Sequence, residues 1–171
     1  MILRVTEMKL YKFLVIFCFS LFAVPVLAAQ PANFSFTDMN GQYHRFSDYR
    51  GKWVIVNYWS TYCGPCISEL PVLKAIAQRY RGRVEVLGMD AGETPVNDLK
   101  QFSRQKGLNY TVIPTQDSTM FALGLIYGVP TTFIVSPQGQ IVDTHMGVMS
   151  MERISRFVDA GQPNPRVASF R

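Results

Sequence analysis

The chain has 171 residues, of which 48% are hydrophobic and 17% are charged, and its formal net charge is +5. This length supports one domain with a hydrophobic core and is short for two domains. The charge is mild and no basic tract alternates with aromatic residues, so the composition argues against a nucleic-acid-binding protein.

The first segment of the chain has the pattern of a secretory signal peptide. Residues 10–27 are almost wholly apolar, two lysines stand at the start of this run, and Ala28 and Ala29 follow it. Signal peptides show this order of positive charge, apolar run and small residues. We predict a signal peptide over residues 1–29 and a periplasmic domain over residues 30–171. The alternative is an uncleaved anchor that holds the domain on the extracytoplasmic side of the inner membrane, because the run approaches bilayer-spanning length.

The spacing of the cysteines limits the roles that they can have in the predicted domain. Of the three cysteines, Cys18 lies in the apolar leader, and Cys63 and Cys66 remain in the domain at C-x-x-C spacing. Disulfides persist after export, but a loop this short removes little entropy from the unfolded chain. A structural staple is therefore a poor explanation of the pair, and a chemical role is a better one.

Two predicted elements precede the cysteine pair. An Asn-Gly turn at residues 40–41 separates short aromatic-rich runs near residues 34–36 and 43–46, which predicts an N-terminal β-hairpin. The nearly continuous apolar run Trp53–Trp59 is typical of a strand buried on both faces at the centre of a sheet. Cys63 follows this run closely, so the pair stands at the C-terminal end of a central strand.

The pair also opens a helix, because apolar residues follow Cys66 at helical spacing, and Pro71 inside this helix predicts a kink. The other predicted elements are a strand over residues 84–89, a helix capped by Thr94 and ending at Gly107, a helix over residues 118–126, a hairpin of strands 131–135 and 140–145, and a last helix capped by Ser150 and reaching about Ala160. Strands that alternate with helices and end in a hairpin indicate an α/β sandwich.

The position of the pair favours thiol–disulfide chemistry. At a helix N-terminus, the free N–H groups and the helix dipole stabilise the thiolate of Cys63, which is the attacking species. Cys66 lies nearly one turn later and closes a mixed disulfide as the resolving thiol. The dithiol is then itself the redox group, and no cofactor is expected.

Other uses of the two cysteines are less well supported. A zinc site normally has four ligands, and neither His44 nor His145 has metal-ligand spacing to the pair, so both histidines are interpreted as surface residues. A haem attachment site needs histidine directly after Cys66, where Ile67 stands. The hypothesis that both cysteines are inert buried thiols does not explain why glycine and proline stand between them at a strand-to-helix turn. The Pro-x-x-x-Thr-x-x-Cys context of thiol peroxidases is absent, since Trp59 occupies the proline position.

Several segments resemble a known family. Trp-Ser-Thr-Tyr-Cys-Gly-Pro-Cys at residues 59–66, followed by Pro71, resembles the thioredoxin active site, and Gly-Val-Pro-Thr-Thr-Phe at residues 128–133 resembles that family's cis-proline loop. Finer details resemble the exported TlpA/ResA-like branch, which includes the cytochrome c maturation thioredoxins; they lie at residues 34–41, 47–52 and 66–71. The resemblance implies a thioredoxin fold, with a central mixed β-sheet flanked by helices and an N-terminal β-hairpin.

The resemblance assigns roles to the residues of the two motifs. It makes Cys63 the nucleophile and Cys66 the resolving cysteine. It makes Pro130 the cis-proline that faces them, with no N–H of its own. Val129, directly before this proline, would offer its backbone to an extended substrate peptide. The alternative for Pro130 is an ordinary turn proline before a strand.

Three further residues complete the predicted site, and a fourth is interpreted as their neighbour. Trp59 and Tyr62 are expected to wall it, although core packing is an equally good explanation of Trp59. Where classical thioredoxins carry a buried aspartate this chain has Asn57, which is interpreted only as a polar neighbour. Glu69 matches an acid of the TlpA/ResA-like branch and is expected to take the proton from Cys66. The alternative for Glu69 is a carboxylate on the helix surface.

The Gly-Pro dipeptide between the cysteines predicts the direction of the reaction. Thioredoxin carries the same dipeptide and has a reduction potential of about −270 mV, whereas the reduction potential of the oxidant DsbA is about −120 mV. We expect a reductase of exported protein disulfides, such as those of apocytochrome c, which a membrane thiol electron donor keeps reduced. A monomer is expected, because no additional dimerisation region is visible. The alternatives are a thiol oxidase or isomerase, since Val129 also resembles the residue before the cis-proline in oxidants, and a non-catalytic binding module.

Overall fold

The computed structural model describes residues 32–160. The predicted signal peptide over residues 1–29 and the segment after Ala160 lie outside this part of the chain. Between residues 32 and 160, no helix is long and apolar enough to cross a membrane.

The elements, in chain order, are β1 (Ser35–Thr37), β2 (Tyr43–Arg45), a 3-10 helix (Phe46–Tyr49), β3 (Trp53–Trp59), α1 (Gly64–Arg79), β4 (Val84–Asp90), α2 (Val96–Lys106), β5 (Thr111–Ile113), α3 (Asp117–Met120), β6 (Thr131–Val135), β7 (Ile141–Met146) and α4 (Met151–Ala160). β1 and β2 form the predicted antiparallel N-terminal hairpin. The other strands form one five-stranded sheet in the order β5-β4-β3-β6-β7.

The central sheet is mixed. β3 pairs in parallel with β4, β4 pairs in parallel with β5, and the β6–β7 hairpin joins the other side of β3 in antiparallel register. β3 is central because its side chains are apolar and buried along nearly its whole length. The thioredoxin fold and the position of the cysteine pair after a central strand are thereby confirmed.

Apolar clusters cover both faces of the sheet. One face packs against the N-terminal hairpin through residues such as Phe36, Val56 and Phe133. The other packs against α1 and α4 through residues such as Leu73 and Ile154. Burying a side chain of this size stabilises the fold by about 1.5–3 kcal/mol, so these clusters hold α1, and with it the cysteine pair, firmly on the sheet.

Two predicted helices differ from the observed ones. α2 begins at Val96 with Pro95 as its N-cap, and not with Thr94 as predicted. The reason is that Thr94 binds Asp90 and not the first turn of the helix. The Asp90 carboxylate accepts hydrogen bonds from the backbone N (2.7 Å) and the Oγ1 (3.1 Å) of Thr94. The helix predicted over residues 118–126 is one turn, α3, which ends at Met120.

The remaining local features differ in how clearly the sequence indicates them. β5 and the 3-10 helix were not predicted, because elements this short carry no clear periodicity. Pro71 lies inside α1, which continues past it to Arg79, and the kink stays a prediction. Ser150 caps α4 as predicted, since its Oγ accepts a hydrogen bond from Arg153 N at 3.2 Å.

His44 is not the surface residue that the sequence indicates. It is partly buried, its ring stacks on Phe36 with 5.1 Å between ring centroids, and its two nitrogens contact Asp38 (3.4 Å) and Tyr49 (3.2 Å). These contacts stabilise the N-terminal hairpin.

Candidate active site

Cys63 and Cys66 form a disulfide at the junction of β3 and α1. Cys63 is the N-cap of α1, and its Sγ accepts a hydrogen bond from the backbone N of Cys66 at 3.3 Å. Cys63 is partly exposed, whereas Cys66 is fully buried. An incoming disulfide therefore reaches the sulfur of Cys63 first, and the sulfur of Cys66 lies behind it.

The predicted cis-proline loop faces the pair. The Val129–Pro130 peptide bond is cis, and the carbonyl oxygen of Val129 lies 3.7 Å from Cys63 Sγ. The loop is anchored on the segment after β7, because the N–H of Gly147 donates to the Pro130 carbonyl at 2.8 Å. The structure thus brings together two motifs that are far apart in the chain.

The two aromatic residues of the predicted site lie in different environments. Trp59 is fully buried and packs with both cysteines and with Phe102, which is the core packing that the sequence left open as an alternative. Tyr62 is 75% exposed directly before Cys63. Its ring lies over Gly92, where a Cβ would come within 3.0 Å of Tyr62 Cε1. Tyr62 therefore forms an aromatic surface beside the accessible sulfur.

Glu69 is fully buried in the face of α1 that packs on the sheet. Its Oε1 accepts a hydrogen bond from Asn57 Nδ2 at 2.8 Å, and its Oε2 accepts one from the backbone N of Met149 at 2.7 Å. Burial raises the pKa of the Glu69 carboxyl, while the two hydrogen bonds and the charge of His145 act in the opposite direction. The alternative of a surface glutamate is wrong, and Asn57 is the polar neighbour that the sequence indicates.

The sequence indicates that His145 is a surface residue, whereas the structure leaves it only partly exposed. Its charge, when present, lowers the pKa of Glu69. It lies directly opposite Thr132 in the β6–β7 pair, and Thr132 Oγ1 accepts a hydrogen bond from Asn57 Nδ2 at 2.9 Å. The signal that would have found it is strand register, which requires knowing that β6 pairs with both β3 and β7.

A second polar network shapes the loop under Tyr62. Asp90, buried at the end of β4, accepts hydrogen bonds from Gly92 N at 3.2 Å, from both N and Oγ1 of Thr94, and from Thr115 Oγ1 at 3.2 Å. These bonds fix the loop on which the Tyr62 ring rests. Nothing in the sequence pattern indicated this role of Asp90.

The described residues offer no metal centre as an alternative. Over residues 32–160, no group of three or more His, Cys, Asp or Glu side chains is placed to hold a metal ion. His44 contacts Asp38 in the hairpin and His145 donates a hydrogen bond to the Val148 carbonyl, so neither histidine is placed as a ligand beside the cysteines.

The chain is similar to known redox proteins. Residues 28–144 match the AhpC/TSA family. Over 143 residues the chain is 36% identical to thiol-disulfide oxidoreductase ResA of Geobacillus kaustophilus, covering 82% of this chain and 80% of that protein. The exposed lipoprotein thioredoxin Etrx1 of Streptococcus pneumoniae superposes with a TM-score of 0.64 and 26% identity over 75% of this chain and 99% of that one. A thioredoxin-family thiol:disulfide interchange protein of Chlorobium tepidum superposes with a TM-score of 0.69 and 24% identity, covering 77% and 97%.

Proposed function

Because this chain belongs to the AhpC/TSA family and is a thiol-disulfide oxidoreductase, we propose that it reduces disulfides of extracytoplasmic proteins through the Cys63–Cys66 dithiol. The observation that carries this proposal is the arrangement of an accessible Cys63 and a buried Cys66, with the Val129 carbonyl facing the accessible sulfur.

The reaction proceeds in two steps. The thiolate of Cys63 attacks a substrate disulfide, forms a mixed disulfide and releases one substrate thiolate. Cys66 then gives its proton to the Glu69 carboxylate and attacks the sulfur of Cys63, which releases the second substrate thiolate and forms the Cys63–Cys66 disulfide. Two electrons pass from the dithiol to the substrate. Buried Glu69, one helical turn beyond Cys66, is the proton acceptor in this scheme.

The substrate peptide binds across the open side of the pair. Its backbone runs along Val129 and Pro130, and its side chains contact Tyr62. The partial exposure of Val129 and the high exposure of Tyr62 support this placement.

Export and electron supply complete the cycle. The signal-peptide pattern of residues 1–29 supports a location in the periplasm or on the extracytoplasmic side of the inner membrane. A membrane thiol electron donor reduces the Cys63–Cys66 disulfide after each turnover, and the protein acts as a monomer. Apocytochrome c, whose cysteines must be reduced before haem attachment, is the leading substrate. The similarity to ResA and to an exposed lipoprotein thioredoxin supports this setting.

The rival function is thiol oxidation or isomerisation, which the resemblance of Val129 to the corresponding residue of oxidants favours. The two functions differ in the direction of electron flow. The test is a peptide that contains an internal disulfide in a C-x-x-C-H sequence, mixed with the reduced protein. We expect the peptide disulfide to be reduced and the protein to be recovered oxidised. An oxidant would leave the peptide disulfide intact and would instead oxidise the reduced peptide.

Tyr62→Ala should weaken substrate binding in the same assay. The side chain is 75% exposed, so its loss should change the free energy of unfolding by less than about 0.5 kcal/mol. Aromatic contacts contribute about 0.5–1.5 kcal/mol, and we therefore expect KM for the peptide to rise about twofold to thirteenfold. Tyr43→Ala, at a tyrosine that is 61% exposed on β2, is the matched control and should leave KM unchanged. Equal KM values for both variants would remove Tyr62 from the substrate site.

A further inference from the structure

A row of paired residues leads from the edge of the sheet to the buried carboxylate. Asn57 of β3 lies opposite Thr132 of β6, and Thr132 lies opposite His145 of β7. Residues paired in this way point to the same face of a sheet. Asn57 donates hydrogen bonds to both Glu69 Oε1 (2.8 Å) and Thr132 Oγ1 (2.9 Å). His145 therefore stands on the Glu69 face, at the edge strand.

The backbone after β7 makes a second connection between His145 and Glu69. His145 Nε2 lies 3.3 Å from the Val148 carbonyl oxygen, a hydrogen bond in which Nε2–H donates. The next residue, Met149, donates its backbone N–H to Glu69 Oε2 at 2.7 Å. Each oxygen of the Glu69 carboxylate thus accepts a hydrogen bond from a group that is connected to His145. The Asn57 amide is connected to it through the strand pairing with Thr132, and the Met149 N–H through the Val148 carbonyl.

Among the groups around Glu69 and His145, we consider His145 to be the source of positive charge for Glu69. Glu69 is fully buried, and the groups bonded to it, Asn57 Nδ2 and Met149 N, are uncharged. Burial, and then the charge of Glu69, raise the pKa of the Tyr110 phenol, so Tyr110 stays neutral. On β7, Asp143 adds a negative charge next to His145. Arg153 of α4 offsets that charge with two hydrogen bonds to the Asp143 carboxylate, at 2.6 and 2.8 Å.

We propose that His145 is a positioning residue for Glu69: it holds the Val148–Met149 backbone over the carboxylate and, when protonated, supplies positive charge that favours the carboxylate anion. This inference rests on the proposed role of Glu69 as the acceptor of the Cys66 proton. The lowering effect of His145 on the pKa of Glu69 agrees with the geometry.

The consequence is a pH dependence of the second chemical step. Histidine side chains ordinarily carry charge only below about pH 6.5. Protonated His145 favours the anionic form of Glu69, which is the form that accepts the proton. When His145 is neutral, this charge is absent. His145 in its protonated form thus favours the second chemical step at acidic pH.

The test follows the step that Cys66 performs. The reduced protein is mixed with one equivalent of dithiobis(nitrobenzoate): Cys63 releases the first nitrothiolate, and Cys66 releases the second as it closes the disulfide. In His145→Gln, whose amide keeps a donor for Val148, we expect the second phase to be about threefold to tenfold slower at pH 5.5 and unchanged at pH 8. His145→Lys, which keeps a positive charge, should retain the wild-type rate at pH 5.5. His44→Gln is the matched control at the other histidine and should follow the wild type.

Two outcomes would overturn the proposal. One is a His145→Gln profile that coincides with the wild type at pH 5.5. The other is equal slowing in the Gln and Lys variants at every pH, which would show a structural role only. The Glu69→Gln/His145→Gln double variant separates this inference from the proposed function. Its second phase should be no slower than that of Glu69→Gln alone, because His145 acts through Glu69. A Glu69→Gln protein with wild-type kinetics would refute the role of Glu69 itself.

Discussion

Cys63→Ser should abolish disulfide reduction, with a loss of at least about a thousandfold, because the hydroxyl that replaces the thiol is not a nucleophile toward disulfides near neutral pH. Cys66→Ser should lose turnover equally but keep the first chemical step. Its accessible Cys63 still attacks, and the mixed disulfide then persists, since no resolving thiol lies behind it. Intact-mass measurement after incubation with a disulfide peptide should find the covalent adduct on Cys66→Ser and no adduct on Cys63→Ser.

Cys18→Ser is the matched control for these variants. This cysteine lies in the predicted leader, and its replacement should leave both turnover and adduct formation unchanged. Stable adducts on Cys63→Ser with none on Cys66→Ser would reverse the two roles. Turnover by the Cys63→Ser/Cys66→Ser double variant would show that the pair is not the redox group and would favour a binding module.

Glu69→Gln should slow the resolution of the mixed disulfide about a hundredfold, the usual contribution of a positioned general base. The change also alters the pH profile. Burial raises the pKa of Glu69, so in the wild type the rate of the second step rises as pH increases through that pKa and the carboxylate forms. Glutamine does not titrate, so in the variant the rate of the second step should not show this rise with pH. The measurement is the second-phase rate between pH 5 and pH 8, with attack by Cys63 followed as the first phase.

A stability measurement separates catalysis from folding in this variant. Because burial raises the pKa of Glu69, the folded state holds this proton more tightly than the unfolded state does. The contribution of Glu69 to stability is therefore largest below its unfolded pKa of about 4.3 and is lost as pH rises through its folded pKa. Denaturant unfolding should show Glu69→Gln gaining stability relative to the wild type over this window.

Glu152→Gln, at an exposed acid in the first turn of α4, is the control for both measurements and should behave as the wild type does. A Glu69→Gln protein that keeps the rate of the wild type and its rise with pH would exclude Glu69 as the proton acceptor. Slowing of the first phase to the same extent as the second would indicate a displaced α1 and not a missing base.

The elements with strong local signals can be predicted from the amino-acid sequence. A continuous apolar run indicates β3, and the Ser-Pro-Gln-Gly turn between two β-rich runs indicates the β6–β7 hairpin. Glycine and proline between two cysteines that follow such a strand indicate the redox pair. These signals are local, because each depends on neighbouring residues.

The rest depends on contacts between distant segments, which no local pattern reports. Thr94 is a good N-cap in isolation, but Asp90 binds it and α2 starts later. The burial of Glu69 follows from the packing of α1 on the sheet, and its partner Met149 is 80 residues away in the chain. The sequence pattern around His145 indicates a polar, exposed residue, whereas the strand order β3-β6-β7 places it in the same row as Asn57.

The equilibrium potential of the Cys63–Cys66 disulfide tests the reductase proposal most directly. The purified protein is equilibrated against a series of dithiothreitol or glutathione buffers, and the reduced fraction is measured by alkylation of the free thiols. We predict a potential below about −220 mV, at which the dithiol gives electrons to exported protein disulfides. A potential near about −120 mV, that of a strong thiol oxidant, would contradict the account and make this protein an oxidase.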